Sequence, residues 1–135
     1  MSETKEAYGF QAKLNVPYEA AIEKVTAALK NEGFGVLTEI DVKATLKKKL
    51  DADFRKYVIL GACNPNLAHR ALSQELDIGL MLPCNVIVYE DADGGSMVSI
   101  IDPMMMLGVA QMADLNDVAD EAEAKLRRVQ QALLS

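Results

Sequence analysis

The spacing of hydrophobic residues switches between two periods along this chain, and that switching restricts the possible folds more than any other feature. Apolar residues from Tyr8 to Val16 occupy every second position, which predicts a half-buried strand. After Pro17 the apolar residues recur every three or four positions as far as Gly33, which predicts an amphipathic helix that ends in a glycine cap. Both periods recur in the rest of the chain, so strands and helices must share one structure.

The later segments predict four more strands, two short helices and one long helix. In chain order they are a strand at 34–40, a short helix at 42–50, a strand at 57–62, a short helix at 65–74, strands at 85–90 and 97–101, and a helix at 115–133. Residues 91–95 form a hairpin turn, so the last two strands are antiparallel. In the strand at 34–40, strict alternation places Val36 and Thr38 on one face and Leu37 and Glu39 on the other. The methionines at 104–106 are predicted to lie in a loop.

The order strand, helix, four strands, helix predicts an α+β fold. An antiparallel sheet of about five strands, with the two long helices on one face and short helices between strands, satisfies the rule that sheets and helices bury their apolar sides in layers. The 135 residues suffice for a single domain spanning 1–135. Because half of the residues are hydrophobic and a quarter are charged, disordered, collagen-like and disulfide-scaffold chains are excluded.

The charge balance and the absence of targeting signals narrow the possible partners. Twenty acidic residues against 14 basic ones give a net charge of −6, which argues against a nucleic-acid partner. The one basic patch is interpreted as a solvated helix face; it comprises Lys43, Lys47, Lys48, Lys49, Arg55 and Lys56. No apolar segment reaches the roughly 18 residues of a membrane span, so no membrane partner is expected. Two cysteines and no secretory signal predict a cytoplasmic protein.

The dipeptide Cys-Asn occurs twice, and both copies fall at predicted strand ends. Cys63-Asn64 ends one strand and Cys84-Asn85 begins the next. If those strands are antiparallel neighbours, both dipeptides lie at the same end of the sheet. His69 and Arg70 on the following short helix, and Asp102 after the last strand, are then expected near that end.

Four interpretations of this cluster remain open. The first is a pocket for a small ligand, in which Arg70 would favour an anionic group; its candidate residues are Glu39, Cys63, Asn64, His69, Arg70, Cys84, Asn85 and Asp102. The second is a soft-metal or haem site that uses Cys63, Cys84, His69 and a methionine from 104–106, although the spacing matches no zinc template. The third is a reactive thiol, Cys63, at a helix N-terminus with His69 as its base. The fourth is purely structural, with buried cysteines and asparagines that cap turns.

Four separated sequence blocks resemble one known family. They are Gly33-Phe34-Gly35-Val36-Leu37-Thr38-Glu39-Ile40-Asp41, Gly61-Ala62-Cys63-Asn64-Pro65 with Ala68-His69-Arg70-Ala71-Leu72, Gly79-Leu80-Met81-Leu82-Pro83-Cys84-Asn85, and Asp102-Pro103-Met104. In this order they resemble the bacterial and archaeal family called domain of unknown function 302. The resemblance implies a TATA-binding-protein-like α+β fold, with a curved antiparallel sheet and two helices on one face, and it implies homodimers. It supplies no activity, substrate or cofactor, and the fold name alone implies no DNA binding.

The sequence therefore leads to one main hypothesis with two alternatives. The main hypothesis is a cytoplasmic homodimer that binds a small anionic or sulfur-containing ligand at the Cys-Asn segments. The alternatives are a thiol- or metal-dependent protein, including an enzyme, and a dimerisation module that associates through the methionine segment. No catalytic residue or cofactor can be named, because phosphate-loop, catalytic-triad and zinc-protease motifs are all missing.

Overall fold

The computed structural model describes residues 9–108 and 115–135, apart from the side chains of 106–108. Tyr8, expected in the first strand, and the side chain of Met106 lie outside the described residues. The elements in chain order are β1 (Gly9–Leu14), α1 (Tyr18–Asn31), β2 (Gly35–Asp41), α2 (Val42–Leu50), β3 (Tyr57–Cys63), α3 (Pro65–Gln74), a 3₁₀ helix (Leu76–Met81), β4 (Cys84–Glu90), β5 (Ser96–Ile101), α4 (Pro103–Gly108) and α5 (Leu115–Leu134). The predicted α+β class and the predicted order of elements are confirmed.

The five strands form one antiparallel sheet in the order β1-β5-β4-β3-β2. One end of this sheet holds the start of β4 and the end of β3, where Cys84 and Cys63 lie. This end is called the cysteine end below. The opposite end holds the hairpin turn between β4 and β5.

The core lies between one face of the sheet and the helices α1 and α5. Alternate residues of the four strands β1, β5, β4 and β3 are buried on this helix face, among them Phe10, Leu60, Val86, Val98 and Ile100. From the helices, the core receives Ala21, Val25, Leu29, Leu115, Leu126 and Val129. Full burial of a valine or leucine side chain contributes about 1.5–3 kcal/mol, so this layer provides the main stabilisation of the fold.

The last helix is tied to the first strand. The guanidinium of Arg127 lies over the ring of Phe10, 3.8 Å from its centroid. Gln130 Nε2 donates a hydrogen bond of 2.8 Å to the main-chain oxygen of Gln11. These contacts cover one side of β1, whereas β2, at the other edge, is exposed over most of its length.

The second face of the sheet, called the open face below, points away from α1 and α5. Paired residues of neighbouring strands share a face, so the register identifies its members. Besides Gly9, Gly35 and Gly61, they are Gln11, Lys13, Thr38, Ile40, Tyr57, Ile59, Cys63, Asn85, Ile87, Tyr89, Met97, Ser99 and Ile101. Most of them are only half-buried.

One predicted face assignment is wrong, because β2 contains a bulge. The register shifts between Val36 and Thr38, so Val36 lies opposite Ala62 and Thr38 lies opposite Gly61. An extra residue in one strand reverses the alternation of all the residues that follow it. Val36 and Glu39 therefore share the helix face, and Thr38 belongs to the open face.

The predicted methionine loop is also wrong, because Pro103–Gly108 forms the helix α4. The carboxylate of Asp102 accepts a hydrogen bond of 2.9 Å from the main-chain nitrogen of Met104, and Pro103 occupies the first turn. An acidic residue followed by proline is a typical helix start, so the signal was present in the sequence.

Candidate functional site

A pocket of about 320 Å³ lies at the cysteine end, where β3 passes into α3. The strands β2, β3 and β4, the helices α3 and α5, and the segment before β4 all contribute to its wall. Its described lining residues are Phe34, Leu37, Thr38, Ala62, Cys63, Asn64, Leu67, Ala68, Ala71, Leu72, Leu82, Pro83, Cys84, Pro103, Val118 and Ala122.

Asn64 sets the direction in which α3 leaves the sheet. Its side-chain oxygen accepts a hydrogen bond of 3.2 Å from the main-chain nitrogen of Leu67, which caps the helix. Its side-chain nitrogen donates a hydrogen bond of 3.4 Å to the main-chain oxygen of Glu32, which anchors the cap to the end of α1. With the helix so placed, Ala68, Ala71 and Leu72 share the side that borders the pocket.

The two cysteines form part of the pocket wall. Cys84 lies opposite Ala62 in the sheet and is buried, whereas Cys63 is half-buried; both are free. Burial, and secondarily the neighbouring Cys63, raises the pKa of Cys84 to about 11. Because the thiolate is the form that attacks electrophiles and binds metals, Cys84 is poorly suited to either role at neutral pH.

A glycine lets two segments approach each other beside the cysteines. A Cβ atom on Gly61 would collide with the Thr38 hydroxyl and would lie 2.8 Å from Pro83 Cγ. The absent side chain therefore allows β2 and the segment before β4 to close over β3. This contact forms the pocket wall next to Cys63.

The polar residues expected at the site are distributed around the cysteine end and beyond it. Arg70 pairs with Glu121 on α5 at 2.7 Å, and His69 is exposed on α3. Asp102 caps α4. Asn85 is exposed on the open face, because alternation points it away from Cys84. Glu39 is exposed on β2, opposite Leu60.

The structure thus brings both Cys-Asn segments to one end of the sheet, but only part of the predicted cluster reaches the pocket. Cys63, Asn64 and Cys84 line it; Glu39, His69, Arg70, Asn85 and Asp102 are not among its described lining residues. The sequence reasoning missed the apolar wall from Phe34, Leu67, Ala68, Leu72, Pro83, Val118 and Ala122. The apolar side of α3 was visible in the sequence, whereas the approach of α5 depends on tertiary packing.

The chemistry of the lining is apolar. Among the described lining residues none carries a charge, and the amide of Asn64 is already engaged by the main chain. An ion placed here would lose its hydration without a compensating partner, which is strongly unfavourable. The pocket therefore suits a ligand that is mostly apolar.

Neither a metal site nor a membrane span is found in the part of the chain that the structure describes. No three of its histidine, cysteine, aspartate and glutamate side chains are grouped as a metal ion would require. No helix within 9–108 or 115–135 combines the length and the apolar character needed to cross a bilayer.

Comparisons with known proteins identify a family but no activity. The family model described as domain of unknown function DUF302 matches residues 10–133. The crystal structure of an uncharacterized conserved DUF302 protein from Bacillus stearothermophilus is similar to this fold with a TM-score of 0.86 and 30% sequence identity, over 94% of this chain and 98% of that chain. No curated protein matches the chain. The chain belongs to the DUF302 family.

Proposed function

We propose that this protein binds a small, largely apolar ligand in the pocket at the cysteine end. The observation that carries the proposal is the lining itself, a concave wall of mostly apolar side chains and two thiols that contains no described charged residue. Pockets that are mostly apolar with a few polar groups are the usual sites for small molecules.

The size of the pocket limits the ligand. A volume of about 320 Å³ is at the lower end of the range of small-molecule sites, which begins at about 300 Å³. At about 30 Å³ per heavy atom, the volume of one water molecule in the liquid, it accommodates about ten non-hydrogen atoms. A short alkyl chain, a thioether or a single substituted ring fits this limit.

Of the two ligand classes suggested by the sequence, a sulfur-containing ligand receives more support than an anionic one. Cys63 and Cys84 present polarizable sulfur to the pocket, which suits apolar and sulfur-containing ligands. Arg70, the residue that would attract an anion, is outside the described lining and is paired with Glu121.

The test compares two ligands that have the same number of carbon atoms, one with a neutral hydroxyl group and one with a charged carboxylate. We expect 1-octanol to bind at least about tenfold more tightly than octanoate, because the carboxylate must lose its hydration without a partner. Amide chemical shifts in a titration monitored by NMR measure both affinities and locate the site. Absence of binding by either compound overturns the proposal, and a preference for octanoate overturns its apolar form.

Two variants link the binding to this pocket. Ala68→Phe places a ring in the pocket and is expected to abolish 1-octanol binding, whereas Ala124→Phe adds the same ring on an exposed position of α5 and leaves the affinity unchanged. Equal affinities for both variants place the ligand elsewhere and contradict the proposal.

We also propose that the protein acts as a homodimer in the cytoplasm. Free thiols at Cys63 and Cys84 support a reducing compartment. The low charge of the open face supports self-association, since a sheet that faces water normally carries polar side chains. Analytical ultracentrifugation of the purified chain tests the dimer, and a monomer at micromolar concentration contradicts it.

A further inference from the structure

The open face has the composition of a buried surface. Its large apolar side chains are Ile40, Tyr57, Ile59, Ile87, Tyr89, Met97 and Ile101. Its one charged strand residue is Lys13, at the hairpin end of β1, where Asp91 and Asp93 hold the ammonium at 2.9 and 2.6 Å. At the same end, the guanidinium of Arg55 lies over the ring of Tyr89, 5.8 Å from its centroid. The centre of the face therefore contains no charge, unlike the solvated side of an ordinary antiparallel sheet.

The register shows how these side chains are arranged. A central row crosses all five strands; it consists of Gln11, Ser99, Ile87, Ile59 and Ile40. Ile87 lies on the middle strand and so occupies the centre of the face.

The rows on either side have complementary shapes. Towards the hairpin end, the rings of Tyr57 and Tyr89 stack with centroids 5.5 Å apart and planes 9° from parallel, which forms a ridge. Towards the cysteine end, a hollow of about 300 Å³ opens between Gly9 and Asn85 and extends past the central row to the side of Tyr89. Consider two sheets packed face to face, related by a two-fold axis that lies between them and runs across the strands through Ile87. The row that contains Tyr57 and Tyr89 in one copy then lies over the row that contains Gly9 and Asn85 in the other.

The extent of the face is close to what a specific interface needs. Five strands about 4.8 Å apart, each with six residues of about 3.4 Å, project about 480 Å². Two copies would then bury about 1,000 Å² from the strands alone. Phe54 extends the surface, because its ring centroid lies 6.1 Å from that of Tyr57. Specific protein interfaces begin at about 1,200 Å² in total.

The centre of the open face can meet a second copy of itself without like-charge repulsion, because Ile87 and its strand neighbours Ser99 and Ile59 are uncharged.

We propose that two copies of this chain associate through their open faces, sheet against sheet, with Ile87 at the centre of the interface. This inference rests on the proposed homodimer and adds the surface that forms it. The pocket borders the open face at Thr38 and Cys63, whereas the rest of its described wall lies at the cysteine end around α3 and α5, away from Ile87. Association through the open faces therefore leaves that part of the pocket accessible.

The experiment measures the dimer dissociation constant of full-length variants by analytical ultracentrifugation. Ile87→Glu places two like charges, one from each copy, at the desolvated centre and is expected to raise the dissociation constant at least about 100-fold. Met105→Glu changes an exposed residue of α4 outside the open face and is the matched control, expected to leave the constant unchanged. Circular dichroism shows whether each variant is folded, and if Ile87→Glu is not, Ser99→Arg on the same central row decides instead.

Each result has one meaning. If the wild-type protein is a monomer, both the proposed homodimer and the proposed interface are wrong. A wild-type dimer that survives both Ile87→Glu and Ser99→Arg overturns the surface but not the homodimer. Dissociation by Met105→Glu assigns the interface to α4 and contradicts the proposal. Binding of 1-octanol by a monomeric, folded Ile87→Glu variant shows that the pocket functions independently, so failure of one proposal is not failure of the other.

Discussion

The side-chain nitrogen of Asn64 lies 2.9 Å from the position that a Cβ atom on Gly33 would occupy. Gly33 adopts a φ of +86° just after α1, and Asn64 caps α3. The turn that ends one helix is therefore packed against the cap that begins another, next to the pocket.

This relationship predicts the effect of replacing Gly33. Gly33→Ala should lower the free energy of unfolding by about 1–2 kcal/mol from backbone strain alone, with a further loss from displacement of Asn64. Gly94→Ala is the control, because Gly94 has a φ of +89° but no atom within 4 Å of its added Cβ. Urea denaturation measures both, and equal losses would show that the Asn64 contact contributes nothing.

The two thiols should differ in reactivity towards iodoacetamide at pH 8. Cys63 is half-buried and should react first, whereas Cys84 is buried and holds its proton to a pKa of about 11. Mass spectrometry of digested protein at successive times measures the two rates. Saturating 1-octanol should slow the reaction of Cys63, and faster labelling of Cys84 would contradict the described geometry.

Stability should fall in the alkaline range for a reason specific to Cys84. In the unfolded chain this thiol loses its proton near its ordinary pKa of 9.0, whereas in the folded protein it keeps it until about 11. Between these values the unfolded state binds fewer protons, so the free energy of unfolding decreases as pH rises, by up to about 2–3 kcal/mol. Denaturation at successive pH values should show this decrease in the wild type and a smaller one in Cys84→Ala.

Tyr18 supplies a second, later component of the same alkaline loss. Burial, followed by the carboxylates of Asp41, Glu39 and Glu19, raises the pKa of Tyr18 to about 12, compared with 10.0 ordinarily. The sign is the same as for Cys84, and the loss falls between pH 10 and 12. Tyr18→Phe should flatten the stability profile in that range while leaving the decrease that begins near pH 9.

Neighbouring arginines on α5 should differ in their effect on stability. Arg127 lies over the ring of Phe10, so Arg127→Ala removes a cation–π contact and packing worth about 1 kcal/mol. Arg128 forms an exposed ion pair with Glu32 at 3.0 Å, and Arg128→Ala should cost less than about 0.5 kcal/mol. Thermal melting at matched salt compares them, and the reverse order would mean that the stacking contributes little.

The main elements could be predicted from the sequence because each has a strong local signal. α3 occupies 65–74, as expected from Pro65 and the apolar spacing, and Gly33 ends the α1 segment with positive φ. The bulge after Val36 could not be predicted, since alternation continues in the sequence while the register shifts in the sheet.

The candidate site was harder to predict because its walls come from distant segments. The common strand end of Cys63 and Cys84 followed from the antiparallel order alone. The pairing of Arg70 with Glu121, 51 residues away, required the docking of α5. The separation of Asn85 from Cys84 was already implied by strand alternation, so that part of the cluster could have been excluded from the sequence.

The attachment of β1 to both β5 and α5 has a consequence for the order of folding. Gln11 bonds to Ser99 across 88 residues and to Gln130 across 119, whereas β4 and β5 are joined by a short turn. Closure of such long loops costs more chain entropy than hairpin formation, so the β4–β5 hairpin should form early and β1 should join late. The amides of β1 should therefore gain protection from hydrogen exchange after those of β4 during refolding.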